Sequence, residues 1–169
     1  NNNSSSNNMA YYGLFSNVNN ANISNLNIYN ITMNITNNNT SYVGLLGCNA
    51  TNTSINNISI YNLNMNINAS NITGGGLFAT DNGGNSINNL NIDTTSNNGG
   101  VASLIGTYNN ATTTNVLVKN NGLNIYNNTT SNNVYSYTVD DDKNVTLSNG
   151  NASSIITSLN NNNSYKTNN

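Results

Sequence analysis

The residues of this chain that could do chemistry are few. Its 169 residues include five Asp, three Lys and one Cys, but no His, Glu or Arg. A His-based catalytic triad and an Arg clamp are therefore excluded, and acid–base catalysis has only the Asp carboxylates to draw on. We expect no enzymatic activity, no catalytic residue and no required cofactor.

Asp140, Asp141 and Asp142 form the one acidic cluster of the sequence. With neighbouring carbonyl groups they could supply the several oxygen ligands that Ca²⁺ takes, so they are the candidate metal site. The interpretation that we favour is a solvated hairpin turn closed by Lys143.

The remaining carboxylates are separated in the sequence. A polysaccharide-cleaving site needs two carboxylates beside the substrate, and Asp81 and Asp93 lie on different elements. Asp81, in "TDNGGN", is typical of a turn, whereas Asp93 occupies a place that Asn takes in the earlier repeats.

The other chemical features point away from several function classes. Cys48 cannot form an internal disulfide and, directly after "GLLG", is expected to be buried. A net charge of −2 with three Lys provides no basic surface for nucleic acid. No apolar run approaches the length of a membrane span.

Two motifs recur in alternation along the chain at a spacing of about 32 residues, later about 26. The first is "YGLFS" (12–16), "VGLLG" (43–47), "GGLFA" (75–79) and "ASLIG" (102–106). The second is "ISNLNIYN" (23–30), "INNISIYN" (55–62), "INNLNIDT" (87–94) and "TTNVLVKN" (113–120). A third apolar element follows, as in "ITMNI" (31–35) and "LNMNI" (63–67).

Apolar residues alternate with polar ones within each motif, which indicates short strands with one buried face. We predict an all-β fold, a parallel β-helix (β-solenoid) of about four coils with three short strands per coil. The predicted core consists of the repeated apolar positions Leu14, Leu45, Leu77 and Leu104, and Leu26, Ile58, Leu90 and Val116.

Asn supplies 51 of the 169 residues. When coils stack in register, equivalent Asn side chains fall about 4.8 Å apart and can hydrogen-bond as a ladder. Asn25, Asn57 and Asn89 form one predicted ladder, and Asn30 and Asn62 form another. Asn also tolerates the left-handed backbone of coil corners, and unlike a charged residue it does not repel its own copies.

The two ends of the sequence differ from the repeats. We assign 1–10 to a flexible polar tail, 11–126 to the solenoid, 127–160 to a C-terminal cap and 161–169 to a second polar tail. Within the cap, 133–147 predicts a hairpin, and "SSIITSL" (153–159) predicts a short helix.

The stretches "YVGLLGCNATNTSINNISIYN" and "GGGLFATDNGGNSINNLNI" resemble the GLUG-type repeat, over residues 12 to about 125. That family occurs in adhesin-like surface proteins of bacteria and archaea. The resemblance implies an extracellular or cell-surface β-solenoid, often part of a longer fibre. This chain departs from the family in its lack of charge and its excess of Asn.

The Asn-x-Ser/Thr sequon recurs along the chain, and Asn49, Asn52, Asn110 and Asn127 are the loop positions suited to N-linked glycans. The alternative is that these sequons are by-products of a composition rich in Asn, Ser and Thr.

Three functions are compatible with these features. The one that we favour is a structural subunit of a surface filament, sheath or adhesin fibre, which self-associates head to tail through 9–16 of one copy and 133–147 of the next. A carbohydrate-binding or polysaccharide-cleaving β-helix, using its Tyr residues on cell-surface glycans, is the alternative. An ice-binding protein is a third, weakened by the lack of regular Thr-x-Thr ladders.

Overall fold

The computed structural model describes residues 9–98, 103–119, 134–139 and 145–147, and all of its regular elements there are β-strands. The strands are β1 (Ala10–Tyr12), β2 (Phe15–Asn19), β3 (Asn22–Gly44), β4 (Gly47–Thr51), β5 (Ser54–Gly75), β6 (Phe78–Asp81), β7 (Ser86–Asn98), β8 (Ile105–Thr107), β9 (Thr112–Lys119), β10 (Val134–Val139) and β11 (Val145–Leu147).

The strands form two sheets. One has the order β1-β3-β5-β7-β9-β10-β11, and the other has the order β2-β4-β6-β8. The chain alternates between the two sheets, and successive strands of each sheet are parallel up to β10. This is the arrangement of a β-solenoid, so the predicted all-β, parallel β-helix class is confirmed.

The register follows the sequence repeat. Leu26 pairs with Ile58, which pairs with Leu90, which pairs with Val116. We call residues 13–44 the first winding and residues 45–76 the second winding, because β3 and β5 pair over nearly their whole length.

Two of the three short strands expected in each repeat run on as one long, bent strand. β3 and β5 each contain two residues at positive φ, namely Asn25 and Asn30 in β3 and Asn57 and Asn62 in β5. Asn accepts this left-handed backbone at small cost. The corner residues themselves are not paired, but the pairing of β3 with β5 resumes in the same register directly after each corner.

Glycine is required where the chain passes between the sheets. A β-carbon added to Gly75 would collide with the carbonyl oxygens of Phe78 and Leu104. The chain therefore comes close to neighbouring backbone two residues before Leu77, and any side chain at this position would prevent that approach.

The core runs between the two sheets and consists of stacked aliphatic residues. Of the eight predicted core positions, six are buried: Leu45, Leu77, Leu104, Ile58, Leu90 and Val116. The turns that carry the first three are adjacent, because Leu46 N donates to Leu77 O and Leu77 N donates to Leu104 O.

The core prediction is wrong for Leu14 and Leu26. Leu14 is 55% exposed and Leu26 is 37% exposed, although Ile58, the register partner of Leu26, is fully buried. Both residues belong to the first winding, which is covered by the second winding on one side only.

The C-terminal strands reverse the direction of the ladder. β10 pairs in parallel with β9, but β11 pairs antiparallel with β10 in the register Tyr137 to Leu147. Of the predicted N-terminal tail 1–10, only Met9 and Ala10 are among the described residues, and Ala10 begins β1. The predicted tail 161–169, the predicted helix at 153–159 and the acidic cluster Asp140–Asp142 lie outside the described residues.

Candidate functional site: the N-terminal end of the solenoid

The most distinctive surface of the described chain is what we call the N-terminal end, residues 9–35. Among the residues whose exposure the structure describes, the substantially exposed large apolar side chains all lie there: Met9, Tyr11, Leu14, Phe15, Leu26 and Tyr29. An exposed cluster of this kind marks an interaction surface more often than a scattered apolar residue does.

The exposure comes from position along the stack and not from a change in sequence pattern. Leu26, Ile58 and Leu90 occupy equivalent positions, and their exposed fractions are 37%, 0% and 0%. The first winding therefore presents to solvent the same apolar face that each later winding buries against its predecessor.

The N-terminal end also contains an open cavity of about 370 Å³. It lies between the segment Tyr11–Leu14 and the strand segment Ile31–Ile35, with Leu45 at its floor. Its lining combines Leu, Ile, Met and Tyr side chains with Thr32, Asn34 and the backbone of Gly13. The lining has no charged group, so the cavity suits an apolar side chain better than a charged ligand.

Stacked Asn side chains run from this end along the solenoid. Asn57 Nδ2 donates to Asn25 Oδ1 at 3.2 Å, and Asn89 Nδ2 donates to Asn57 Oδ1 at 3.1 Å. Asn62 Nδ2 donates to Asn30 Oδ1 at 2.7 Å. The structure thus brings together the members of both ladders that the sequence singled out.

Two further stacks were missed by the sequence analysis. Asn66 Nδ2 donates to Asn34 Oδ1 at 2.9 Å, and Asn49 Nδ2 donates to Asn17 Oδ1 at 2.9 Å. The 32-residue separation that these pairs share with the predicted ladders was the signal that could have found them.

All four stacks have the same direction. In each, the amide nitrogen of the later winding donates to the amide oxygen of the earlier winding. The exposed amide nitrogens of the first winding, those of Asn17, Asn25, Asn30 and Asn34, consequently have no partner among the described residues.

Tyrosine rings add a smaller feature near this end. Tyr29 stacks on Tyr61 and Tyr11 stacks on Tyr42, each with ring centroids 5.2 Å apart. Tyr61 is buried, whereas Tyr11 and Tyr29 are nearly half exposed. Each exposed ring therefore presents a flat apolar face at the edge of the stack.

Asp81 holds a buried junction between windings. Its Oδ1 accepts hydrogen bonds from Gly83 N at 2.8 Å and from Asn85 Nδ2 at 2.5 Å. Its Oδ2 accepts from Asn109 N at 2.8 Å and Ala111 N at 3.0 Å. The bonds from Gly83 and Asn85 belong to the local turn that the sequence indicated, and the bonds from Asn109 and Ala111 tie this turn to the next winding.

Asn85, which the sequence analysis missed, extends this junction in the other direction. It is buried, its Nδ2 also donates to Ala50 O at 2.9 Å, and its Oδ1 accepts from Thr53 N at 2.8 Å. Each side-chain oxygen of Asp81 and Asn85 accepts a hydrogen bond from the protein itself, so this junction stabilises the contact between windings.

Asp93 does not take the corner conformation of Asn30. It lies between Ile92, which pairs with Ile60, and Thr94, which pairs with Leu63. Asp93 alone therefore lies opposite both Tyr61 and Asn62 of β5, and its φ is not positive. The structure does not bring Asp93 and Asp81 into one site, since Asp81 is enclosed by its own four donors.

Cys48 is fully buried, as its place after "GLLG" indicated. Its thiol contacts the carbonyl oxygens of Tyr12 and Tyr42, each at 3.4 Å. Burial raises the pKa of the Cys48 thiol, and the backbone hydrogen bonds only partly oppose that rise. The thiol is therefore unsuited to nucleophilic chemistry in the folded protein.

The glycosylation candidates differ in their surroundings. Asn49 lies in an Asn stack, so its amide nitrogen is engaged by Asn17. Asn52 and Asn110 are exposed at positive φ on corners of the chain. Asn127 lies outside the described residues.

The described part of the chain contains no group of three or more His, Cys, Asp or Glu residues able to hold a metal ion. None of it forms a helix with the length and hydropathy needed to cross a membrane.

Comparison of the chain with protein-family models, with curated proteins and with solved structures finds no match.

Proposed function

We propose that this protein is a structural β-solenoid that self-associates to build an extracellular or cell-surface filament, sheath or adhesin fibre. In this proposal the domain has about four coils, is covered at its C-terminal side by residues 127–160, and has no enzymatic activity.

The observation that carries the proposal is the uncovered apolar face of the first winding. Leu14, Phe15 and Leu26 are exposed there, and Leu14 also lines the cavity bounded by Ile31–Ile35. Free strand edges with apolar side chains promote association with another β-structure. Among the described residues, the backbone groups of β2 and of the part of β3 before Ser41 have no neighbouring strand at this end.

The uniform, charge-poor surface supports the same function. Residues 1–80 contain no charged side chain, and stacked Asn amides replace the charges that would repel each other along a solenoid. Such a surface suits repeated identical contacts, whereas an enzyme needs converging reactive groups.

Sedimentation velocity and negative-stain electron microscopy of the purified full chain over a range of concentrations test this function. We expect species larger than the monomer, growing with concentration. A strictly monomeric protein at all concentrations would contradict it.

A carbohydrate-binding role is the second candidate, favoured by the exposed rings of Tyr11 and Tyr29 in their stacked pairs. Aromatic faces pack against the apolar faces of sugar rings. Binding to a glycan array that is lost in Tyr29→Leu would support this candidate, and an array without signal would reject it.

A further inference from the structure

We propose that the N-terminal end pairs with the N-terminal end of a second copy of this chain, in a two-fold symmetric dimer. The inference rests on the proposed function in assuming self-association. In it the partner of the N-terminal end is the same surface of another copy, in place of 133–147. Because a two-fold contact is closed, growth into a filament then requires a further contact that joins such dimers.

The free amides are the first argument. The Nδ2 groups of Asn17, Asn25, Asn30 and Asn34 are exposed and without partners in the described chain, while their Oδ1 atoms each accept one bond from the second winding. A carbonyl-type oxygen has two lone pairs, so each amide still offers both a donor and an acceptor. A row of such groups is complementary to a copy of itself.

The strand edges are the second argument. Among the described residues, β1 covers only Ser41–Val43 of β3, so the stretch 22–37 has no neighbour on that side. Two-fold symmetry brings two copies of this edge together in antiparallel orientation, in which strand ladders pair at least as well as in the parallel orientation.

The apolar residues are the third argument. In an isologous contact each copy supplies both the projecting side chains and the cavity. Leu14 and Phe15 project from the end, and the cavity of about 370 Å³ beside Ile31–Ile35 can receive an apolar side chain from the partner. The contact thereby continues the packing that joins the first and second windings.

Charge distinguishes the two modes of contact. The N-terminal end faces its own copy without any charge, because the first charged residue of the chain is Asp81. Residues 133–147 bring Asp140, Asp141, Asp142 and Lys143, whose burial against an apolar surface is costly. In addition, β11 runs antiparallel to β10, so the C-terminal side does not continue the parallel ladder.

A charge-swap experiment tests this symmetry. Leu14→Glu and Leu14→Lys are prepared in the full chain, and self-association is measured by sedimentation velocity for each variant and for their equimolar mixture. Ser70→Glu and Ser70→Lys are the matched controls, because Ser70 is exposed and lies on β5 in the second winding, outside the N-terminal end. Circular dichroism checks that every variant retains its β-structure.

We expect each Leu14 variant alone to associate more than about tenfold more weakly than the wild type, since like charges meet across the two-fold axis. The mixture should recover dimers, and the Ser70 variants should behave like the wild type. Loss in both Leu14 variants without recovery in the mixture would overturn the symmetric pairing and leave the proposed function standing. Unchanged association of both variants would also overturn the pairing. A wild type that is always monomeric would overturn the proposed function as well.

Discussion

Replacing Asp81 by Asn tests why a chain with 51 Asn residues uses an Asp at this one buried place. The change keeps the size and shape of the side chain but converts one acceptor oxygen into a donor nitrogen. The carboxylate of Asp81 accepts four hydrogen bonds, two at each oxygen. Whichever way the new amide is turned, two donors face an NH₂ group.

The magnitude follows from that count. If the amide nitrogen takes the Oδ2 position, it faces Asn109 N and Ala111 N, which lie 2.8 and 3.0 Å from the present oxygen. A hydrogen bond to a charged group contributes about 1.5–3 kcal/mol, so two lost bonds amount to about 3–6 kcal/mol. Removing a buried charge offsets part of this loss, so we expect Asp81→Asn to lower the free energy of unfolding by about 3 kcal/mol.

The assay is equilibrium unfolding in guanidinium chloride, followed by circular dichroism, with the midpoint and the m-value compared between variants. The neighbouring exposed residue provides the control, and Asn82→Ala should change the stability by no more than about 0.5 kcal/mol. A loss below about 1 kcal/mol in Asp81→Asn would refute the reasoning, because the four donors would then not depend on the carboxylate.

Three further predictions address the stack, its corners and its thiol. Leu90→Ala should lower the free energy of unfolding by about 3 kcal/mol because Leu90 is fully buried, whereas Leu26→Ala at the equivalent exposed position should lower it by about 1 kcal/mol or less. Both losses are measured from denaturant midpoints. Equal losses would contradict an uncovered first winding. The Asn57→Ala variant should be less stable than the Asn57→Gly variant by about 1 kcal/mol, because both lose the amide stack but only Ala is strained at φ 53°. Thermal unfolding measures the difference. An Ala variant as stable as the Gly variant would exclude backbone strain at this position. Burial and the raised pKa of Cys48 should make its alkylation at pH 8 follow the rate of global unfolding, as measured by mass spectrometry; rapid labelling of the folded protein would contradict its burial.

The fold was predictable from the spacing of the sequence repeat. Ile58 and Leu90 are 32 positions apart in the sequence and pair in the structure, as do Asn57 and Asn89. A period of this length, combined with alternating apolar residues, leaves few architectures other than a solenoid. The same regularity predicted Asn25 and Asn30 as stack positions, and both accept a hydrogen bond from the Asn 32 residues later.

The merging of two short strands into β3 and β5 was not predictable from the pattern. An apolar period interrupted at Asn25 and Asn30 looks the same whether the ladder stops at a corner or continues around it. Whether the strand ends or continues depends on whether the two windings keep the same register on both sides of each corner, and that is a property of the stacked windings.

The amino-acid sequence by itself determined the parallel β-solenoid class, the buried stack around Leu90 and the amide ladders, because each depends on a local period that the residues repeat. Only the tertiary structure decided that Leu26 is exposed while Ile58 is buried, since identical patterns acquire different environments according to what lies above and below them. It also decided that Asp81 collects donors from residues 83, 85, 109 and 111, a convergence of distant segments that no local pattern records.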